Sequence, residues 1–217
     1  MNALLTKEFR LAATKLTYFF LVFSLMTFIP GYPILVGGFF VCLGIFYSFQ
    51  SGREQNDTVY TALLPLPKTS LVQSKFLFTV FIEAVAFLLT GVFTVIRMLA
   101  MSRAEVYLTN PMMNANLFFL GGILVIFALF NLIFLSGFFR TGYYFGKPFV
   151  GFAIAAFVLT VLAETLHHIP GLEWVNTAGH DRIGLQLAGL LAGLAVWVCL
   201  TVISYRVSVK RFEKIDL

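Results

Sequence analysis

Charge is scarce in this sequence. Only 12% of its residues are charged and 59% are hydrophobic, whereas an ordinary soluble domain carries about 25% charged residues among its core positions. With a mean hydropathy of +0.91, the chain holds more apolar surface than a soluble fold could hide. Cysteine is nearly absent: Cys42 and Cys199 each lie in an apolar run without the close spacing of a zinc or redox pair, and both are expected to be small buried hydrophobes. The opening MNALLTKEFRLAATK has no apolar stretch leading to a small-residue cleavage site, so no cleaved signal peptide is expected and the first span should stay. Missing too are HExxH, GxSxG and GxxxxGK[ST], and with them the signatures of a zinc protease, a hydrolase or a nucleotide site. The chain is read as non-catalytic, and energy from ATP would have to come through a partner. The net charge of +5 does not point to nucleic acid, because the basic residues are scattered between apolar runs rather than gathered into a patch.

What is there is an all-α integral membrane pattern: 217 residues allow about six spans of roughly 20 residues with short connections, in a single transmembrane domain. Residues 1–15 read as an interfacial helix, with Leu5, Phe9, Ala12 and Leu16 on one face and Lys7, Arg10 and Thr14 opposite, lying on the inner leaflet with its basic face toward lipid headgroups. Residues 16–49 read as the first and second spans, a hairpin turned at Pro30, Gly31, Tyr32 and Pro33. Both arms are short for a span, which keeps a re-entrant hairpin open. Residues 50–75 form a polar loop, and four further spans follow at 76–99, 117–136, 149–163 and 183–205. Assigning Lys and Arg to alternate sides puts twelve of them on the side of the termini and only Arg97, Arg103 and Arg182 on the other. By the positive-inside rule both termini are cytoplasmic.

Few residues offer chemistry. Glu164 and His168 have an i, i+4 spacing usable by a metal, but with His167 they read better as polar residues at the outer boundary, and no metal site is expected. Gly189 and Gly193 form a GxxxG that permits close helix packing, within the subunit at least as readily as between subunits. The phenylalanines, Phe87 among them, are lipid-facing or core, or line a path for a greasy substrate. Glu83 is the one acid well inside a span. It should face protein or a water-filled vestibule, either paired with a snorkelling Lys15 or Arg206 or placed to attract cationic groups of a substrate.

The loop SGREQNDTVYTALLPLPKTSLVQSKF is the most informative segment. Ser51 and Glu54 have capping-box spacing, Asp57 adds an acid early in the helix, and Pro65 and Pro67 stop it, which predicts a short surface helix. The run from Leu64 and Pro65 through Lys68 to Lys75 and Phe76 is similar to the L-P-V-S-R-x-x-I-V-x-x-K-Y run of small ABC-2 type permeases, with Pro67 where Ser or Thr is usual. The resemblance takes in the basic amphipathic first helix, the short hairpin, the acidic segment and the six-span count, and so covers essentially the whole chain. It implies a type V exporter-like permease in the bacterial plasma membrane, paired with a second permease copy or paralogue and with two cytoplasmic ATPase subunits. ATP and magnesium would bind those partners; no cofactor is expected in this chain. The matching segment, Glu54 to Leu64, would be the coupling helix, with Glu54, Gln55, Asn56, Asp57, Tyr60 and Leu64 toward the ATPase. The resemblance favours export of amphipathic or hydrophobic peptides or related antimicrobial compounds. The alternative is an ion-coupled secondary transporter or another polytopic protein without an ATPase, though such proteins place several ionisable residues at mid-membrane.

Overall fold

The computed structural model describes residues 2–215, and these form helices and turns with no strand among them. The chain starts as α1 (Asn2–Lys7) and continues in a π-helical turn over Glu8–Ala12. Thr14 then opens α2 (Lys15–Phe19) with a capping box: its hydroxyl accepts from the Thr17 N–H, and the Thr17 hydroxyl accepts from the Thr14 N–H, both at 3.2 Å. Ala3–Ala12 and Lys15–Phe28 are bent 86° from one another, so the first helix runs nearly at right angles to the second. Its buried stripe is Leu4, Glu8 and Ala12, with Leu5 and Phe9 half-buried, Leu16 exposed and Lys7 turned inward. Leu5, Phe9 and Ala12 thus pack inward as expected, and only Leu16 and Lys7 depart from the expected faces. Lys7 and Glu8 turn inward because they have partners of opposite charge on other elements.

Beyond Phe19 the backbone winds as a 3-10 helix over Phe20–Phe28. Because a 3-10 helix rises about 2.0 Å per residue against about 1.5 Å for an α-helix, the arm from Lys15 to Phe28 reaches about 26 Å instead of about 21 Å. The chain returns as α3 (Val36–Glu54), close against this arm. A Cβ on Gly37 would lie 2.9 Å from the Phe23 carbonyl oxygen, and one on Gly44 2.7 Å from the Phe20 Cβ. The hairpin tip is tied down at the far end of the bundle. Gly31 N–H donates to Asn110 Oδ1 at 3.1 Å, the Tyr107 hydroxyl to the Phe28 carbonyl at 2.9 Å, and the Arg97 guanidinium to the Thr27 carbonyl.

The remaining helices are α4 (Asp57–Ala62), α5 (Lys68–Ala100), α6 (Glu105–Leu108), α7 (Leu117–Leu129), α8 (Ser136–Phe138), α9 (Gly146–Leu166) and α10 (Ile183–Phe212); a π-helical turn at Phe130–Leu135 joins α7 to α8, and a short 3-10 helix at Glu173–Asn176 lies between α9 and α10. Four helices are long and apolar enough to cross a membrane, Lys68–Ala100, Leu117–Phe138, Gly146–Leu166 and Ile183–Phe212, or five if the bent pair at the start is one span. The α7 helix lies at the centre, burying Phe119, Ile123, Leu124 and Phe127. Against it α10 packs through glycine: a Cβ on Gly193 would overlap the Gly121 backbone, and one on Gly121 the Gly189 carbonyl. The GxxxG is therefore used inside the subunit. Cys42 is buried, but Cys199 is exposed on α10, contrary to the sequence expectation, because α10 presents only its glycine side to α7.

Candidate functional site

At one end of the bundle, the foot, the helical strand of α3 stops at Glu54 and the chain turns through Gln55 and Asn56. Asn56 adopts a left-handed conformation with φ 53°, which Asn tolerates better than most residues. This turn separates α3 from the six-residue α4. The expected capping box does not form, and the helix is not continuous from Glu54 to Leu64. The Ser51 hydroxyl accepts from Gln55 Nε2 at 3.0 Å, and Glu54 accepts from Gln50 Nε2 at 3.1 Å, so both side chains serve the last turn of α3. Pro65 and Pro67 lie between α4 and α5, with Pro67 extended just before Lys68.

The foot is held by four charges that sequence reading did not bring together. Lys75 of α5 is 3% exposed and Glu8 1%. Lys75 Nζ lies 3.1 Å from Glu8 Oε2 and 3.1 Å from Asp57 Oδ2, while Lys7 Nζ lies 2.7 Å from Asp57 Oδ1 and 3.2 Å from Glu8 Oε1. Lys7 also donates to the Thr61 hydroxyl at 2.9 Å. Two cations and two anions close a neutral ring joining α1, its π-helical continuation, α4 and α5. Burial raises the Asp57 carboxyl pKa, but the Lys75 charge, then the hydrogen bond and charge of Lys7, outweigh it and hold it below its ordinary value. Asp57 thus anchors α4 from the inside rather than presenting itself outward.

With Asp57 and the buried Thr58 and Thr61 turned in, the other side of α4 and the segment after it face out. Tyr60 is 66% and Leu63 70% exposed, and Leu64 and Leu66 are exposed beside them. Glu54, Gln55 and Asn56 are exposed at the α3–α4 turn. Of the six residues singled out in the loop, five are exposed and Asp57 is half-buried.

Glu83 is 0% exposed and sits in the middle of α5. Its Oε2 accepts from Asn131 Nδ2 at 3.1 Å and from the Trp197 indole N–H at 2.9 Å. Asn131 also donates to the Thr201 hydroxyl at 3.0 Å, and its carbonyl accepts from Ser204. Among the described residues no cation lies within ion-pairing distance of Glu83, so neither Lys15 nor Arg206 is its partner. Both are exposed, and neutral donors on the π-helical turn after α7 and on α10 meet the carboxyl instead. Nor does Glu83 open onto a vestibule in this conformation. Four residues further on, half-buried Phe87 lines an apolar groove of about 460 Å³ with Leu88, Val92, Leu120 and Leu190.

The opposite end is closed by a second polar set. Arg97 stacks 4.0 Å over the Tyr107 ring and donates to Asn114 Oδ1 at 3.1 Å. Glu164 accepts from the Met113 N–H at 2.8 Å, and His167 Nε2 lies 3.1 Å from the Pro111 carbonyl. Glu164 and His167 thus fasten the segment before α7, and among the described residues no group of three or more His, Cys, Asp or Glu is placed to hold a metal ion.

From residue 3 to residue 213 the chain matches the model of the ABC-2 family transporter proteins. It belongs to that family. It is accordingly a membrane-embedded permease subunit of an ABC transporter, a kind of subunit that is generally non-catalytic and implies an ATPase partner. Among curated proteins and solved structures no match was found. Family membership displaces the ion-coupled alternative.

Proposed function

We propose that the chain is the exporting permease of a bacterial plasma-membrane ABC transporter and that the outward surface of α4 receives the ATPase. The observation that carries this is the patch at Tyr60, Leu63, Leu64 and Leu66, rimmed by Glu54, Gln55 and Asn56. Large apolar side chains exposed together at the polar end of a bundle mark an interaction site, and aromatic anchors with a polar rim suit a protein partner. The ring of Lys7, Glu8, Asp57 and Lys75 ties α4 to α5. A push on α4 is thereby passed to a membrane-crossing helix and to the first helix together.

In this reading the foot is cytoplasmic, in keeping with the excess of Lys and Arg on that side. The Lys15–Phe28 arm and α3 are the first two of six spans; the arm's 3-10 winding and the fastening of its tip beside Arg97 support a full crossing. Two ATPase subunits and a second permease complete the transporter, with ATP and magnesium on the ATPases. The substrate is an amphipathic or hydrophobic peptide or antimicrobial compound, and the groove at Phe87, with Glu83 one turn away beneath it, is its path. The alternating-access motion would have to open this groove toward Glu83.

The test is Tyr60→Ala with Leu63→Glu. The double variant should insert and melt as the wild type does, yet lose co-purification with the partner ATPase and lose transport. Retained ATPase association would remove the α4 patch from the interface.

A further inference from the structure

The foot holds a second constellation, away from the α4 patch and its charge ring. Arg53 near the end of α3, Arg140 after α8 and Lys147 in the first turn of α9 line one cavity of about 750 Å³, with Tyr144, Phe145 and Pro148 among its walls. Among the described residues none of these three cations has a carboxylate within 4.0 Å or a side-chain hydrogen bond. Arg53 is oriented by aromatic faces instead, its guanidinium 4.6 Å from the Phe145 ring centroid and 5.2 Å from that of Tyr143. Stacking of this kind fixes the plane of a guanidinium while leaving its N–H donors unused.

A second, independent feature points the same way. The 21-residue α9 begins at this cavity with no side-chain cap and no acid in its first turn. The N–H groups of Gly146 and Lys147 precede the hydrogen bond from the Phe149 N–H to the Phe145 carbonyl. They therefore lack helical acceptors, and the positive end of the helix dipole faces the same space. Three unpaired cations and an uncapped helix start share a pocket without any anion of their own.

Position selects the class of anion. The helix that leaves this cavity, α9, turns Val150, Ile154, Phe157, Val158 and Val161 outward and is apolar enough to cross a membrane. The pocket therefore lies where a lipid-facing helix meets the headgroup layer, with aromatic side chains at its mouth. We propose that this cavity binds the phosphate of an anionic phospholipid headgroup, with Arg53 as the oriented donor, Arg140 and Lys147 as flanking charges, and the start of α9 contributing backbone N–H groups. Basic pockets between helices at a membrane face recognise such headgroups. The site is separate from ATPase docking and does not rest on it.

The experiment uses the full chain in nanodiscs of phosphatidylcholine with or without phosphatidylglycerol, reading bound lipid by native mass spectrometry and stability by thermal melting. The wild type should retain phosphatidylglycerol over phosphatidylcholine and melt higher in its presence. Arg53→Gln with Arg140→Gln and Lys147→Gln should keep its melting temperature in phosphatidylcholine but lose the increment. At about fivefold per cation, its affinity for phosphatidylglycerol should fall on the order of a hundredfold. Should the triple variant not fold, Lys147→Gln alone changes an exposed side chain and should weaken retention about fivefold. Equal retention of both lipids, or a variant indistinguishable from wild type, overturns the proposal. So does full reproduction of the increment by millimolar inorganic phosphate in phosphatidylcholine, which would mark a free-anion site. Loss of ATPase co-purification in the variant with its lipid response intact would assign the three cations to the protein partner and overturn it as well.

Discussion

Lys75→Met removes one ammonium from the ring at the foot and leaves a side chain of similar length. In the wild type that ammonium lies 3.1 Å from both Glu8 and Asp57. Without it, two carboxylates, one of them only 1% exposed, must share Lys7. Breaking a buried pair by deleting one partner costs about 3–5 kcal/mol, whereas an exposed pair would cost about 0–1 kcal/mol. For a chain of this size 1 kcal/mol moves the melting temperature by about 2–4 °C, so the expected fall is on the order of 6–20 °C. Lys75→Met combined with Glu8→Gln leaves the neutral pair Lys7 and Asp57, and should recover part of the loss. The assay is thermal unfolding of the detergent-solubilised protein, followed by the remaining monodisperse peak in size exclusion. A fall of less than about 2 °C for Lys75→Met, the size expected of an exposed pair, would refute the reasoning. Losses in the double variant equal to the sum of the two singles would do the same, since coupled neighbours cannot be additive. The ring also carries a pH signature. The Asp57 pKa is lowered in the folded state, so its stabilisation is fully present above the unfolded value of about 3.9 and is lost as pH falls through the lower folded value. In Lys75→Met this acid dependence should be smaller.

Glu83→Gln keeps an acceptor for Asn131 and Trp197 and should melt near the wild type. Glu83→Leu strands the Trp197 indole N–H and should cost about 1–3 kcal/mol, and neutralising Lys15 or Arg206 should rescue neither; rescue by Arg206→Gln would show that an ion pair had been missed. Gly193→Leu places a branched side chain where a Cβ already overlaps the Gly121 backbone, and should abolish the monodisperse folded peak. A folded Gly193→Leu protein would show that α7 and α10 do not pack as described.

The local signals were legible where one stretch of chain decides the outcome. Pro30 and Pro33 bound the hairpin turn, and Pro65 and Pro67 separate α4 from α5, because a proline ring and a missing N–H act at their own position. The short arm before Pro30 carries no such local signal. An α-helical rise makes it too short for a comfortable span, and nothing in FLVFSLMTF announces nine residues of 3-10 winding; packing against the glycine face of α3 accompanies that winding. The loop pattern predicts the short helix that α4 forms but not where it starts. Ser51 and Glu54 satisfy the spacing of a capping box while belonging to the preceding helix, since spacing alone does not say on which side of a turn a residue falls.

By itself, the sequence determined that this chain enters a membrane as helices: 59% hydrophobic residues cannot be covered by so few charges, and backbone groups in hydrocarbon must bond within their own helix. Its resemblance to the family also singled out Glu54, Gln55, Asn56, Asp57, Tyr60 and Leu64 in the loop, all of them exposed except the half-buried Asp57. Tertiary structure alone decided what the charges do. Glu8 meets a lysine 67 residues away, Asp57 turns inward to the same lysine, and Glu83 is met by an indole 114 residues away rather than by a cation. An isolated buried carboxylate is costly wherever it lies, so each had to find donors. Which donors it found depended on the helices that packing brought alongside, and no local pattern in the chain encodes those neighbours.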